Sequence, residues 1–333
     1  MKPKVAVIGC GTWGRNLVRN FYNLEALECV CDLNEDNISV VKEQFPAIKT
    51  TNNYKEILDN PLIDGVVIAT PSHTHFNMVK PALDNNKHVY VEKPLATTSV
   101  DAQKMKEYAE QKGKVLMVGH LLLYHPAVSR LRDIILNDEL GDITYVQSDR
   151  LNINYFKNDK SVIWDLAPHD ISMINYVTNK KPLKVTSAVG FSSDKNDIMD
   201  IVHVDMELED NIHAHISTSW IHPQKRVTLM VRGTKATAIL DDTLSQNKLQ
   251  IHSNFAPHSQ DIQYPDYLEI EPLKLECQHF LSCIKENSTP RSDGTNGYEI
   301  IKMIEDADKL MLGEEFDKLN NYDFVSYRKN LTK

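Results

Sequence analysis

The sequence is poor in several things. It has no long apolar run, few cysteines and a deficit of positive charge. No stretch approaches the roughly 18 consecutive apolar residues that a membrane helix needs. Met1-Lys2-Pro3-Lys4 passes straight into Val5–Ile8 without the pattern of a secretory leader. The expectation is a soluble, cytoplasmic protein with no membrane partner. The five cysteines (Cys10, Cys29, Cys31, Cys277 and Cys283) are odd in number and lack the paired C-x-x-C spacing of a zinc or redox site. They read as reduced core thiols. Thirty-seven basic residues against 46 acidic ones give a formal charge of -9, which opposes any sequence-independent grip on a phosphate backbone, so nucleic acid is not an expected partner. Internal repeats, charge blocks and low-complexity segments are missing as well, which predicts order everywhere except in the Lys/Asn-rich final residues. What remains is ordinary globular material: 333 residues, 41% hydrophobic, enough for one large or two medium domains.

The first 120 residues alternate apolar runs with amphipathic stretches. The runs are Val5–Ile8, Leu27–Cys31, Gly65–Ala69, His88–Val91 and Val115–Val118; helical periodicity fills Trp13–Leu24, Asn34–Phe45, His75–Asn85 and Ser99–Lys112, with Ser99 as the expected cap. This is the signature of an α/β, doubly wound parallel sheet covered by helices. Beyond residue 120 a helix at Pro126–Leu136 is followed by strand-rich chain: Ile143–Arg150, Pro182–Phe191, Ile198–Leu208, Asn211–Trp220, Arg226–Arg232 and Ala236–Leu240. Two closing helices, Leu273–Glu286 and Thr295–Leu312, complete a second α+β unit with a large, mostly antiparallel sheet. The expected division is 1–120 for a dinucleotide and 121–333 for substrate and self-association.

Directly after the first strand stands Gly9-Cys10-Gly11-Thr12-Trp13-Gly14, a G-x-G-x-x-G that opens a helix. The first glycine permits the tight turn, the second lets a pyrophosphate approach the backbone, and the third lets helix and strand pack closely. Asp32 closes the second strand 18 residues after Gly14, where an acid accepts the hydroxyls of the adenosine ribose. A carboxylate there repels a 2′-phosphate, and Leu33 and Asn34 supply no arginine to hold one; NAD is favoured over NADP.

Thr70-Pro71 with His75, and Glu92-Lys93-Pro94, both follow strands at their carboxyl ends, the edge where open α/β sheets bind ligands. A third element is Trp164-Asp165-Leu166-Ala167-Pro168-His169-Asp170, where a helix would set Asp165 and His169 on one face, although Pro168 fits only a first turn or a kink. An imidazole beside a carboxylate suits the removal of an alcohol proton near neutral pH.

The glycine loop, Glu92-Lys93-Pro94 and the later D-x-x-x-H together resemble the glucose-fructose oxidoreductase, inositol dehydrogenase and rhizopine catabolism group, Gfo/Idh/MocA, over nearly the whole chain. The resemblance implies a Rossmann domain plus an open-faced α/β domain, with substrate held between them over the nicotinamide. It implies that Lys93 hydrogen-bonds the reacting hydroxyl, Asp165 orients the sugar and His169 is the acid/base. Thr12, Trp13, Thr70, Pro71, His75, Glu92 and also Lys93 fall on its cofactor side. Asp159-Lys160-Ser161 and Ala167 replace glycines that the family often carries. Gly119-His120, then Tyr124-His125-Pro126-Ala127, with Trp164 ahead of Asp165, resemble members acting on nucleotide-linked sugars; His120, Tyr124 and Trp164 join the expected substrate residues.

Other readings stay open at this point. A free polyol could be the substrate, or the chain could sense the NAD/NADH ratio without turnover. His203, His213 and His215 fall on neighbouring strands, but no Cys or Glu completes a ligand set, so no metal is expected. A sheet with one bare face predicts a homodimer or homotetramer.

Overall fold

Short, wholly apolar runs can only be strands that are covered on both faces, and they are. In the computed structural model, which describes residues 2–153, 161–193, 198–254 and 262–313, the chain begins β1 (Val5–Ile8), α1 (Gly14–Asn23), β2 (Leu27–Cys31), α2 (Glu35–Gln44), β3 (Lys49–Thr51) and α3 (Tyr54–Leu58). It continues β4 (Gly65–Ile68), α4 (His75–Asp84), β5 (His88–Glu92), α5 (Ser99–Lys112) and β6 (Leu116–Gly119). Among the described residues these strands form one parallel sheet in the order β3-β2-β1-β4-β5-β6. The order reverses between β1 and β4, and a crevice opens there at the carboxyl ends. Every residue of β1, β4 and β6 is buried.

In this part of the chain two elements escape the sequence reading for physical reasons. β3 is a three-residue polar edge strand with no apolar face to betray it, and α3 is too short to show a period. One cap is corrected. Thr98, not Ser99, caps α5: its extended backbone lets the hydroxyl accept from the Asp101 N–H at 3.1 Å, while Ser99 bonds through N and Oγ to Glu305.

The second sheet follows α6 (Pro126–Leu136). Its elements are β7 (Ile143–Ile153), α7 (Val162–Thr178), β8 (Pro182–Phe191), β9 (Ile201–Leu208), β10 (His213–Ser219), β11 (Ile221–Gly233), β12 (Ala236–Asp241), β13 (Leu249–Ser253) and β14 (Ile262–Gln263). Helices α8 (Pro272–Glu286) and α9 (Gly294–Leu312) close the described chain. The strand order is β14-β13-β12-β11-β7-β10-β9-β8, antiparallel except where β7 and β10 run parallel. Alternation along β9 sends Val202, Val204, Met206 and Leu208 inward. The other face carries the ladder Asp205, His215, Gln147, Met230 and Ile239 across five strands.

The closing helices do more than finish the second sheet. Leu273, Cys277, Phe280 and Leu281 of α8 share one core with Val5, Val7, Tyr90 and Met117 of the first sheet, and the Phe280 ring meets Tyr90 edge-on at 5.8 Å. On α9, a Cβ at Gly297 would stand 2.8 Å from Leu95 Cδ2 and 2.9 Å from Val118 Cγ2, so the bare helix backbone packs directly on these two side chains. Periodicity gives a helix its apolar face; it does not say which of two sheets that face will meet.

Two half-buried histidines make the fold acid-sensitive. His88 Nδ1 accepts the Val115 N–H at 3.1 Å, and His279 Nε2 accepts the Arg291 N–H at 3.1 Å. Burial, with Lys114 near the first and Arg291 near the second, pushes both pKa values from 6.5 down to about 4. The unfolded chain therefore binds more protons between these limits, and stability is lost as pH falls from 6.5 towards 4. Each histidine should cost about 1.4 kcal/mol per pH unit in that window. Urea unfolding at pH 7 and pH 5 checks this: the double variant His88→Gln/His279→Gln should lose that part of the slope, and an unchanged slope would refute the assignment.

Candidate active site

The three glycines of the first turn divide their labour. Gly9 has φ +92°, and a Cβ on it would lie 2.7 Å from the Ala69 carbonyl oxygen; a Cβ on Gly14 would lie 2.0 Å from that of Gly9. Both are needed for packing. Gly11 meets nothing within 4 Å, so its side of the loop is open to a ligand at the positive end of α1, where the first turn holds no acidic residue. This cradle fits a pyrophosphate lying against bare backbone.

Asp32, just past β2, faces the loop. Its Oδ2 accepts the Cys10 N–H at 2.7 Å and Asn37 Nδ2 at 3.2 Å, and its Oδ1 accepts the Asn34 N–H at 2.8 Å. Partial burial raises its pKa, but the N–H donors of Asn34 and Cys10 outweigh that and hold it below the usual carboxylate range. The carboxylate thus ties the glycine loop to β2, a tether that spacing alone does not reveal.

Glu92 ends β5 and is 8% exposed. It accepts Trp13 Nε1 at 2.6 Å and the Tyr90 hydroxyl at 3.1 Å through Oε1, and the Lys93 N–H at 3.3 Å through Oε2. Trp13, in the glycine loop, is therefore anchored by a residue of the E-K-P turn. His75 was expected on the cofactor side; the structure corrects this to a supporting role. It is 1% exposed, with Nδ1 2.9 Å from the Pro94 carbonyl and Nε2 3.0 Å from that of Thr70; burial lowers its pKa, and the neutral ring, wedged between the two loops, donates to one of these carbonyls. Thr70 Oγ1 meets Thr74 Oγ1 at 2.7 Å, and Pro71 opens the short 3₁₀ turn Ser72–Thr74 that leads into α4.

Lys93 reaches across to α7, the helix packed on the second sheet. Its Nζ donates to the Asp165 backbone carbonyl at 3.0 Å and to Asp165 Oδ1 at 3.1 Å, with the two side chains 21% and 15% exposed. Asp165 sits in the first turn of α7, where the helix dipole favours a carboxylate. Pro168 lies inside this helix rather than ending it. Its ring crowds the Trp164 carbonyl four residues back, loosening the first turn beside the carbonyl that Lys93 takes. His169 is one turn beyond Asp165. The next residue, Asp170, was not singled out from sequence; fully buried, it accepts Ser148 Oγ at 2.7 Å and Arg150 Nε at 3.1 Å and pins α7 to β7. Its only signal was an acid next to His169 in an otherwise apolar helix.

The expected substrate residues divide. His120 is 1% exposed, and neither ring nitrogen has a hydrogen-bond partner among the described residues; burial, then the charge of Lys93, push its pKa down to about 3. It is a neutral ring in the wall behind Lys93. Tyr124 is corrected to a core residue: it is 2% exposed, its hydroxyl lies 3.1 Å from Ser292 Oγ, and it packs with the α8 core. Trp164 turns its indole N–H to Asp308 of α9 at 2.5 Å, which leaves it only an apolar surface to offer. Asp159 and Lys160 lie outside the described residues, and Ser161 is the N-cap residue of α7. The His203 and His215 rings stack at 5.9 Å on the sheet face away from the helices, with His215 Nδ1 2.8 Å from Asp205. No group of three or more metal-ligating residues occurs among the described residues.

Residues 3–120 match the model of the GFO_IDH_MocA oxidoreductase family, NAD-binding Rossmann fold, and residues 128–239 match that of the GFO/IDH/MocA C-terminal domain. The chain is 25% identical over 309 residues to scyllo-inositol 2-dehydrogenase (NAD(+)) of Bacillus subtilis, covering 86% of this chain and 87% of the relative. It is 26% identical over 312 residues to UDP-N-acetylglucosamine 3-dehydrogenase of Acidithiobacillus ferrooxidans, covering 90% and 94%. A solved structure of the latter superposes with a TM-score of 0.81 at 23% identity, over 92% of this chain and 98% of that one, a likeness of fold. With the glycine cradle and the E-K-P turn in place, the chain belongs to the GFO/IDH/MocA oxidoreductase family and is an NAD-dependent dehydrogenase.

Proposed function

We propose that the protein oxidises or reduces a CH–OH carbon of a nucleotide-linked sugar, held between the Lys93 edge of the first sheet and the Asp165 end of α7. The observation that carries this is the Lys93–Asp165 bridge between the two sheets. An ammonium has three N–H donors; two go to Asp165, and the third remains for a substrate oxygen. Bound NAD supplies the hydride-accepting ring. Lys93 then stabilises the oxygen as its proton leaves, Asp165 orients the sugar, and His169 accepts the proton. A protein that merely sensed the NAD/NADH ratio would have no use for this trio.

Residues 1–120 serve the cofactor and 121–333 the substrate and self-association in this reading. Asp32 takes the adenosine ribose hydroxyls, and Trp13 flanks the pyrophosphate loop. The face bearing Met230 and Ile239, turned away from the helices, is the surface on which we expect a homodimer or homotetramer. No described helix is long and apolar enough to cross a membrane. The substrate assignment leans on the relative that acts on UDP-N-acetylglucosamine; a free polyol is the second reading, favoured by the inositol dehydrogenase at nearly equal identity. A thermal-shift panel of UDP-, dTDP- and GDP-sugars and free polyols with NAD separates them. A nucleotide sugar at about 100 times its Kd should stabilise by about 2.7 kcal/mol. Stabilisation by polyols alone would select the second reading.

A further inference from the structure

We propose that Glu276 is a positioning residue for the cofactor, acting through the Tyr90 hydroxyl on the Glu92 carboxylate that holds Trp13 at the glycine loop. Glu276 lies on α8, far along the chain from every residue of the site. It is fully buried, and neither of its carboxyl oxygens has a hydrogen-bond partner among the described residues. A bare buried carboxyl is costly and calls for a reason. Its neighbours give one. Tyr90 and Glu92 of β5 face it, with Tyr124 and Cys277 also within range of its charge. Tyr90 is itself fully buried and donates to Glu92 Oε1 at 3.1 Å. The room is made by Gly119 on β6, where a Cβ would stand 2.8 Å from both Glu92 Oε2 and the Tyr90 hydroxyl.

Two buried carboxyl groups with one hydroxyl in their midst hold a single negative charge far more cheaply than two. The geometry decides which carboxyl carries it. Glu92 has three donors (Trp13 Nε1, the Tyr90 hydroxyl and the Lys93 N–H) and the Lys93 ammonium nearby, whereas Glu276 has only the Tyr90 hydroxyl beside it. The charge therefore rests on Glu92 and the proton on Glu276, the direction in which burial and the Glu92 charge both drive the Glu276 pKa. A protonated carboxyl is a donor, and the Tyr90 oxygen, whose own proton goes to Glu92, is the acceptor that faces it. Donors in series polarise one another. The order Glu276, Tyr90, Glu92 thus strengthens the grip on the Trp13 indole, and a helix packed beneath the first sheet sets the shape of a loop above it.

This inference rests on the cofactor reading of the glycine loop and not on the identity of the sugar. NADH fluorescence titration and thermal unfolding of the full chain test it, with E276L, E276Q, Y90F and the double variant Y90F/E276L. E276L should weaken NADH binding about tenfold, the worth of a hydrogen bond to a charged group. Its Tm should change little, because the hydrogen bond lost to Tyr90 is offset by removal of a buried polar carboxyl and leucine fills a similar volume. E276Q, neutral and still a donor, should bind within about twofold of wild type. Y90F should match E276L, and the double variant should be no worse than either. Wild-type affinity in E276L or Y90F would overturn the proposal, as would E276Q as weak as E276L, or an affinity loss that follows a fall in Tm. Should E276L fail to fold, Y90F and E276Q still decide between these outcomes. A wild-type protein that binds no NADH would instead overturn the cofactor reading itself.

Discussion

Lys93→Met should lower turnover by about 10² to 10⁴-fold while leaving NADH affinity nearly unchanged, and His169→Asn should do the same. The division follows from where the groups stand. In the proposed reading, affinity for the dinucleotide comes from the glycine loop, the α1 terminus and Asp32, whereas the Lys93 ammonium is engaged with Asp165. Lys93 spends two of its three N–H donors on Asp165, so methionine removes the donor for substrate oxygen and also strips a half-buried carboxylate of its ammonium partner. Lys93→Arg should not rescue, because a planar guanidinium cannot place a compact third donor in the same direction. Single-turnover rates with the true substrate, beside NADH titrations, separate the two effects. Wild-type turnover in both variants would remove them from the mechanism.

The second large effect concerns cofactor choice. Wild type should prefer NAD to NADP by more than about tenfold, since 1.4 kcal/mol suffices for that factor and a carboxylate against a phosphate costs more. Asp32→Ala should lose NAD affinity twice over. In the proposed reading it removes the acceptor for the ribose hydroxyls, and it frees the Cys10 N–H that ties the glycine loop to the end of β2. Asp32→Asn separates these roles: the amide oxygen still accepts from the loop, while the charge that repels a 2′-phosphate is gone. Asn should therefore keep more NAD affinity than Ala and narrow the gap to NADP. Equal binding of both dinucleotides by wild type would show that Asp32 does not read the ribose.

Much of this was legible because strands of a doubly wound sheet announce themselves as short apolar runs, and β1 and β2 begin and end where the runs do. The glycine loop was legible because its chemistry is local. Elements without an apolar pattern were not: β3 is polar, α3 is short, β13 has five residues, and β14 is an edge strand of two. In the site, Lys93 and Asp165 were marked by their motifs, but their contact joins residues 72 apart, and nothing in spacing encodes that. The failures share one cause. His75 and Tyr124 have side chains equally suited to a ligand or to a core, and burial alone decides between them. Glu276 could not be found from sequence at all, because in an amphipathic helix a glutamate reads as solvent-facing.

The central claim is that hydride transfer takes place at the Lys93–Asp165 bridge. The most direct measurement is NADH formation, followed by absorbance, when wild type and Lys93→Met are given NAD with each member of the nucleotide-sugar and polyol panel. A nucleotide sugar should reduce NAD with wild type, and the same sugar should yield at most about one hundredth of that rate with a Lys93→Met protein that still binds NADH. Equal rates in the two proteins would contradict the account.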